Sequence, residues 1–373
     1  MQATRPRGGV AWSRTTEIDR AASRGVMRPM APRAFICALA GPTLSADEER
    51  FLREAEPWGL ILFTRNIESP AQLVRLTASV RNTLGRNAAI LVDQEGGRVQ
   101  RLGPPHWPSY PPGAAYGRVY DRNAAEGIKA AYLGARLIAA DLAAVGVDVD
   151  CLPIADVPVA GADCVIGDRA YGDTAEKVAL LARAVADGLL ASGVLPVLKH
   201  IPGHGRATAD SHGALPIVET DRETLRTTDF AAFRPLSDLP LGMTAHIVYT
   251  AIDPIAPATT SVTLIRDVIR DWLGFRGLLM SDDISMGALS GSIEARSRAA
   301  IAAGCDVVLH CNGELDEMRA VASAVPVLTG EAAARADAAL ARRGRVVKDD
   351  PAALRAEWAA LIDTGASARR AIS

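Results

Sequence analysis

The sequence predicts an α/β protein, a single (β/α)8 TIM barrel with extra C-terminal helices. Three observations predict it. Short β-type runs alternate with helical stretches from residue 33 onward. Eight such units occupy about 290 residues, close to the expected size of this barrel. The polar groups fit for chemistry fall at the C-terminal ends of the β runs, where such barrels build their sites.

The first β run is residues 34–39 (AFICAL), and an amphipathic helix follows from near Ser45. Residues 59–63 (GLILF) form the second run, with a helix over 70–84, and residues 88–93 (AAILVD) the third. A Pro- and Gly-rich loop is expected from 96 to about 122, then a helix to about 145. The fourth strand lies near 147–153, its loop reaches 172, and a helix covers 174–192. Residues 194–199 (VLPVLK) are the fifth strand, with a long loop over 200–220 and a helix from near Asp221. The sixth strand is 239–245, before a helix over 261–272, and the seventh is 277–281 (GLLMS). A helix over 292–303 leads to the eighth, residues 306–310 (DVVLH). Aliphatic runs bounded by Gly, Pro and Asp are the strand signal used throughout.

This divides the chain into a leader (1–30), a catalytic barrel (31–345), and a C-terminal helix and tail (346–373) that packs on the barrel. The leader holds six arginines and no apolar segment, so it is read as disordered or non-native rather than as a secretory signal. Hydrophobic residues make up 49% and aromatics only 5%, so the core must be built from Ala, Val, Leu and Ile. The net charge of -2, with signs interspersed, gives no electrostatic footprint for nucleic acid or a membrane surface. No apolar run of about 18 residues is present. Five cysteines at irregular spacing, without a CxxC pair, argue against a disulfide framework or zinc ribbon and for a reducing compartment, the cytoplasm. No HExxH helix and no His-x-His after the first strand occurs, so neither metal nor cofactor is expected. A metal-dependent barrel hydrolase using His200, His204, His212 and His246 is the competing enzyme class. A monomer is expected.

The strand ends gather the chemistry. The third run ends in Asp93-Gln94-Glu95-Gly96-Gly97-Arg98, with Arg101 just beyond, and the loop after the fourth carries Gly167-Asp168-Arg169. The fifth ends in Lys199-His200 and continues through His204 to Asp210-Ser211-His212; the sixth ends at His246, the seventh in Ser281-Asp282-Asp283. The opposite strand ends show no comparable gathering. Each piece has a purely structural alternative. Asp93 or Lys199 can belong to an ion pair, Asp282 can cap the following helix, His212 can be a solvated loop histidine. His204 between two glycines suits loop shaping more than chemistry, and His246 suits hydrogen bonding behind the site.

Three segments carry a family resemblance: KHIPGHGRATADSH (199–212), DQEGGRVQRL (93–102) and SDDISMGAL (281–289). They resemble, in order and spacing, the signatures of bacterial β-N-acetylhexosaminidases of glycoside hydrolase family 3, over about residues 33–345. The resemblance implies a retaining exo-β-N-acetylglucosaminidase acting through a covalent glycosyl-aspartate. Asp282 matches the nucleophile, and His212 with Asp210 the acid/base dyad. Asp93, Arg101, Arg169, Lys199 and His200 match residues that hold the terminal sugar. It further implies a small carbohydrate substrate, N-acetylglucosamine on 1,6-anhydro-N-acetylmuramic acid and its peptides, met in cytoplasmic peptidoglycan recycling. Ile201, Ala170-Tyr171 and Ile284 depart from the commonest pattern without altering a reacting group.

These residue types suit the reaction. Retaining glycosidases usually pair two carboxyl groups; here an imidazole replaces one. In an extended segment Asp210 and His212 point to one side, so the carboxylate can hold one ring nitrogen and leave the other for the glycosidic oxygen. Lys199 and Arg169 on the same rim are expected to favour ionised Asp282, and the glycines around His204 and at Gly213 to let the loop close. Three alternatives stay open: phosphorolysis in place of hydrolysis, attack by the substrate's own acetamido group, and a sugar-binding barrel without activity.

Overall fold

The computed structural model describes residues 31–344 and 350–370. The expectation for the leader lies outside these residues, as does part of the predicted tail. Eight strands form the barrel: β1 (Arg33–Ala38), β2 (Pro57–Leu62), β3 (Ala89–Val92), β4 (Val149–Asp150), β5 (Leu195–Ile201), β6 (Leu241–Thr244), β7 (Leu278–Asp283) and β8 (Val307–Leu309). Every strand pairs in parallel with its neighbours in sequence, and β8 closes on β1. Because a parallel sheet is covered on both faces, its strands read as continuous apolar runs rather than alternating ones. AFICA in β1 and AILV in β3 are buried at every position.

Strand ends differ from expectation where proline or a turn intervenes. β4 is only two residues long. Pro153 has no N–H to donate, and the Leu152 N–H turns back to the Asp150 carbonyl (2.8 Å). β5 runs past the predicted end to Ile201 and so carries Lys199 and His200 within the strand. The predicted 96–122 loop is more ordered than expected. Gln94–Gly96 and Val99–Gln100 form a small antiparallel hairpin, and a helix begins at Gly113. Asn123 ends that helix and caps the next, Ala124–Ala144, by accepting from the Ala125 and Glu126 N–H groups. The 200–220 loop holds Ile217–Val218, paired with Val248–Tyr249. The helix over Leu264–Trp272 is a π-helix. Its i to i−5 bonding, as from the Leu273 N–H to the Val268 carbonyl (2.8 Å), is a change of period too small to read over one short segment.

The end of the barrel away from the site is not bare, which corrects the reading above. Asp148 just before β4 pairs with Arg81 and Arg343, and Asp306 just before β8 pairs with Arg270 and Arg335. The arginines come from helices and from the chain after β8, so no local motif announced them. The C-terminal helix Pro351–Arg370 lies on the same scaffold. Trp358 meets the Tyr110 ring edge-on at 5.9 Å, and Glu357 pairs with Lys129.

Helices Ala124–Ala144 and Ala175–Ala191 pack closely where Gly188 faces Tyr132: a Cβ there would lie 2.4 Å from the Tyr132 carbonyl oxygen. Helix propensity alone favours Gly188→Ala by about 1 kcal/mol. Overpacking costs about 1–3 kcal/mol, and a helix carbonyl cannot swing aside. Gly188→Ala is therefore expected to lower Tm in thermal melts; a raised Tm would show that the two helices have room to spare.

Candidate active site

A cavity of about 240 Å³ opens at the C-terminal ends of the strands. Asp93, Arg101, Arg169, Lys199, His200, Asp210, His212 and Asp282, widely separated in sequence, all line it. The strands do this by layering. In a (β/α)8 barrel each interior layer draws its side chains from alternate strands, and Asp93, Lys199 and Asp282 stand at the ends of β3, β5 and β7.

The floor is a buried charge cluster. The Lys199 ammonium donates to Asp93 (2.8 Å to Oδ1) and contacts Glu95 (2.7 Å to Oε1). Arg101 reaches the other Asp93 oxygen at 3.1 Å, and Arg169 grips Glu95 with two bonds of 2.8 Å. The ion-pair alternative for Asp93 and Lys199 thus describes a real contact, but one that faces the cavity. Burial opposes ionisation of Asp93, yet Lys199 and then Arg101 outweigh it and hold the carboxyl below the usual range. Glu95 is likewise held down against burial by Lys199 and Arg169. Burial pushes the Lys199 amine down; Asp93 and Glu95 overcome this and raise it. Glu95 was missed as a site residue, although it sits two places from Asp93 in the same motif. Gln94 between them turns into the hairpin, accepting from the Arg101 and Leu102 N–H groups at 3.0 and 2.9 Å.

Asp282 ends β7 half-buried, and its Oδ1 accepts from the Asp283 N–H at 2.8 Å. It does not cap the following helix, Ile293–Ala303; Ser292 does. Burial raises its pKa, but His246, then His200, the Asp283 N–H and Lys199 prevail, so the carboxyl stays below its ordinary value. The expected contribution of Arg169 is not among the leading influences, because that guanidinium is spent on Glu95. His246 stands behind the strand end as expected. Burial pushes the His246 imidazole down towards the neutral form. Its Nε2 donates to the Asp283 carbonyl (3.0 Å), while Nδ1 meets the Thr259 hydroxyl (2.7 Å).

Two aspartate–histidine pairs flank this centre. His212 Nδ1 lies 2.7 Å from Asp210 Oδ1, with side chains 71% and 47% exposed. The segment is a turn, not the extended strand assumed above. Asp210 also accepts from the His212 N–H (2.9 Å), the local turn that an aspartate side chain makes with its own backbone two residues on. Burial works against Asp210 ionisation; the His212 N–H and ring together prevail and hold its pKa down. The second pair is buried: His200 Nδ1 lies 2.7 Å from Asp156. Asp156 also accepts the His204 N–H at 2.6 Å. No local signal marked Asp156; only the fold brings it beneath residues 200–204. Burial, with His200 adding to it, lowers the His204 pKa to about 4. The flanking glycines tighten the loop rather than loosen it. A Cβ on Gly205 would lie 2.0 Å from the Val157 carbonyl oxygen, and Gly203 has φ +148°. Among the described residues no cluster of three His, Cys, Asp or Glu has metal-binding geometry.

Known proteins resemble this chain in sequence and in fold. The model of the glycosyl hydrolase family 3 N-terminal domain matches residues 34–346. The chain belongs to glycosyl hydrolase family 3. Within it the chain is a bacterial β-N-acetylhexosaminidase, a glycoside hydrolase. It is similar to the β-hexosaminidase of Methylococcus capsulatus, 40% identical over 333 residues, 87% of this chain and 96% of that one. The β-hexosaminidase of Bordetella parapertussis is 38% identical over 75% of this chain and 80% of its own length. Among solved structures, NagZ from Neisseria gonorrhoeae in complex with N-trifluoroacetyl-D-glucosamine superposes with a TM-score of 0.80 at 31% identity, covering 90% of this chain and 99% of that one.

Three buried carboxylates link the stability of this chain to pH. Asp93, Glu95 and Asp156 all have folded pKa values below their unfolded ones. Their stabilisation is full above the ordinary carboxylate range of about 3.9–4.3 and is lost as pH falls through the lower folded values. Asp93→Asn is therefore expected to weaken the fold at neutral pH and to flatten its loss of stability below about pH 4. Urea unfolding across that range reads both; an unchanged acid slope would mean that Asp93 draws no stability from Lys199.

Proposed function

We propose that the chain is a retaining exo-β-N-acetylglucosaminidase that removes terminal β-linked N-acetylglucosamine, with Asp282 as nucleophile and His212 as acid/base. One observation carries the reading: an ionised strand-end carboxylate and an aspartate-backed, exposed imidazole line a single cavity beside fixed charged groups suited to sugar hydroxyls. The cavity is slightly smaller than the ~300–1,000 Å³ usual for small-molecule sites, which suits one terminal ring. The N-trifluoroacetyl-D-glucosamine in the gonococcal relative supports a glucosamine-type sugar there.

Asp93, Arg101, Arg169, Lys199 and His200 hold the ring through charge-assisted hydrogen bonds. An Asp282 oxygen attacks the anomeric carbon as the bond to the leaving oxygen breaks, and His212 Nε2 gives that oxygen its proton. Asp210 holds the ring at Nδ1 and so leaves Nε2 for that oxygen. Water then attacks the glycosyl-aspartate, His212 takes its proton, and Asp282 leaves as carboxylate. The substrate we assign is the muropeptide N-acetylglucosaminyl-1,6-anhydro-N-acetylmuramic acid, as the signature segments imply, in peptidoglycan recycling. We place the enzyme in the cytoplasm, which the five free cysteines support.

His212→Ala is expected to slow disaccharide cleavage by about 10²–10⁴-fold, the usual worth of a general acid. Activated aryl glycosides, which need no proton, should suffer far less; equal damage to both would remove His212 from that role. A 5-fluoro glycosyl inhibitor should add its mass to the Asp282 peptide, and no adduct during turnover would favour attack by the acetamido group. In phosphate buffer the expected product is the free sugar; the sugar 1-phosphate as main product would make the enzyme a phosphorylase. Because Asp282 is held ionised, kcat/KM on activated aryl glycosides should show no acid limb above about pH 4. An acid limb near pH 5 or higher would mean that Asp282 is not the attacking group.

A further inference from the structure

The dyad that donates the proton lies mostly in solvent, so its own packing does not set its position. We infer that Ser211, the residue between Asp210 and His212, is a positioning residue that anchors the acid/base loop to His204 and so fixes the imidazole relative to Asp282. This rests on the roles proposed above for His212 and Asp282.

The geometry is one of opposed burial. Asp210 and His212 are 47% and 71% exposed at their side chains, while Ser211 between them is buried and its hydroxyl lies 3.1 Å from His204 Nε2. His204 is a fixed post. Its N–H is held by Asp156 at 2.6 Å, and Gly205 beside it touches the Val157 carbonyl too closely for any side chain. His204 Nε2 and the Ser211 hydroxyl thus share one hydrogen bond at the base of the loop. The main chain is clasped from the opposite side. The Gly287 N–H donates to the His212 carbonyl (3.0 Å) and the Ala288 N–H to the Ser211 carbonyl (3.2 Å). A Cβ on Gly287 would lie 3.0 Å from both the His212 and Gly213 carbonyl oxygens, so a side chain there would press the loop outward by a few tenths of an ångström. Residues 287 and 288 lie four and five places beyond the end of β7, the strand that carries Asp282. The loop with the proton donor is thus pinned between the extension of β5 and the segment leaving the nucleophile, with these pins on residues 211 and 212. General acid catalysis demands hydrogen-bond reach to the leaving oxygen, and a misplacement of about 1 Å can cost about 10²-fold.

Ser211→Ala and Gly287→Ala attack the clasp from its two sides. Each is expected to lower kcat/KM for a disaccharide with a poor leaving group by about 10-fold or more. Turnover of an activated aryl glycoside should fall less than about threefold, with little change in KM. Ser211→Thr keeps the hydroxyl and should recover most of the lost selectivity. In the His212→Ala background, Ser211→Ala should add little further loss, because the two act through one group. Thermal melts of all variants report folding separately. Equal losses on both substrates in Ser211→Ala and Gly287→Ala would overturn the anchor and leave a general structural role. If His212→Ala shows leaving-group selectivity and the two anchor variants do not, the anchor fails while the acid/base assignment stands. If His212→Ala shows none, that assignment fails and takes the anchor with it.

Discussion

The site depends on a lysine placed where a lysine is costly. Lys199 is almost completely buried, and an isolated ammonium taken from water loses several kcal/mol of solvation. It stays charged because two carboxylates, Asp93 and Glu95, meet it directly. Those carboxylates repel each other without it, and each recruits its own guanidinium, Arg101 or Arg169. The cluster therefore stands or falls as a unit, with three cations against two anions. The surplus positive charge lies beneath the cavity where Asp282 stands, and Lys199 is among the groups that keep Asp282 ionised. A hydrophobic replacement of such a cluster is often neutral or better for stability. In the proposed reaction, what the charges supply is a floor of oriented donors that need not reorganise when a sugar arrives.

The fold was legible because its signal is repetitive: aliphatic β runs alternating with helices recur eight times, and the strand ends carry most of the polar motif residues. Boundaries were less legible where one residue type decides, as at Pro153, or where two helical periods differ slightly, as over Leu264–Trp272. The predicted lining residues were legible from three short segments and, for Arg169, from the loop after the fourth strand. Their partners were not. Glu95 lay inside a motif but read as its filler, because nothing local distinguishes it from Gln94, which turns the other way. Asp156 meets residues 200–204 only because the segment after β4 passes beneath the end of β5. The arginines that meet Asp148 and Asp306 lie as far as 195 residues away in sequence. The dyad spacing was read correctly as a contact and incorrectly as a strand, since an aspartate two residues before a histidine is also the pattern of a side-chain turn.

The two groups proposed to react have opposite structural settings, and the proposed chemistry explains why. A nucleophile must stay charged and aimed at one carbon, so it belongs at the end of a rigid strand among groups that favour its anion. Asp282 has that setting, with the Asp283 N–H on its oxygen and His246 behind it. An acid/base must exchange its proton between a leaving oxygen and water within one cycle. An imidazole held on one side by Asp210 and open on the other meets that need, and a buried one does not. His200 makes the contrast within the same cavity: it has an aspartate partner at the same 2.7 Å separation, yet the pair is buried, with side chains 9% and 0% exposed. Access to water, more than the aspartate–histidine pairing itself, separates the group suited to cycling a proton from the group suited to holding the sugar.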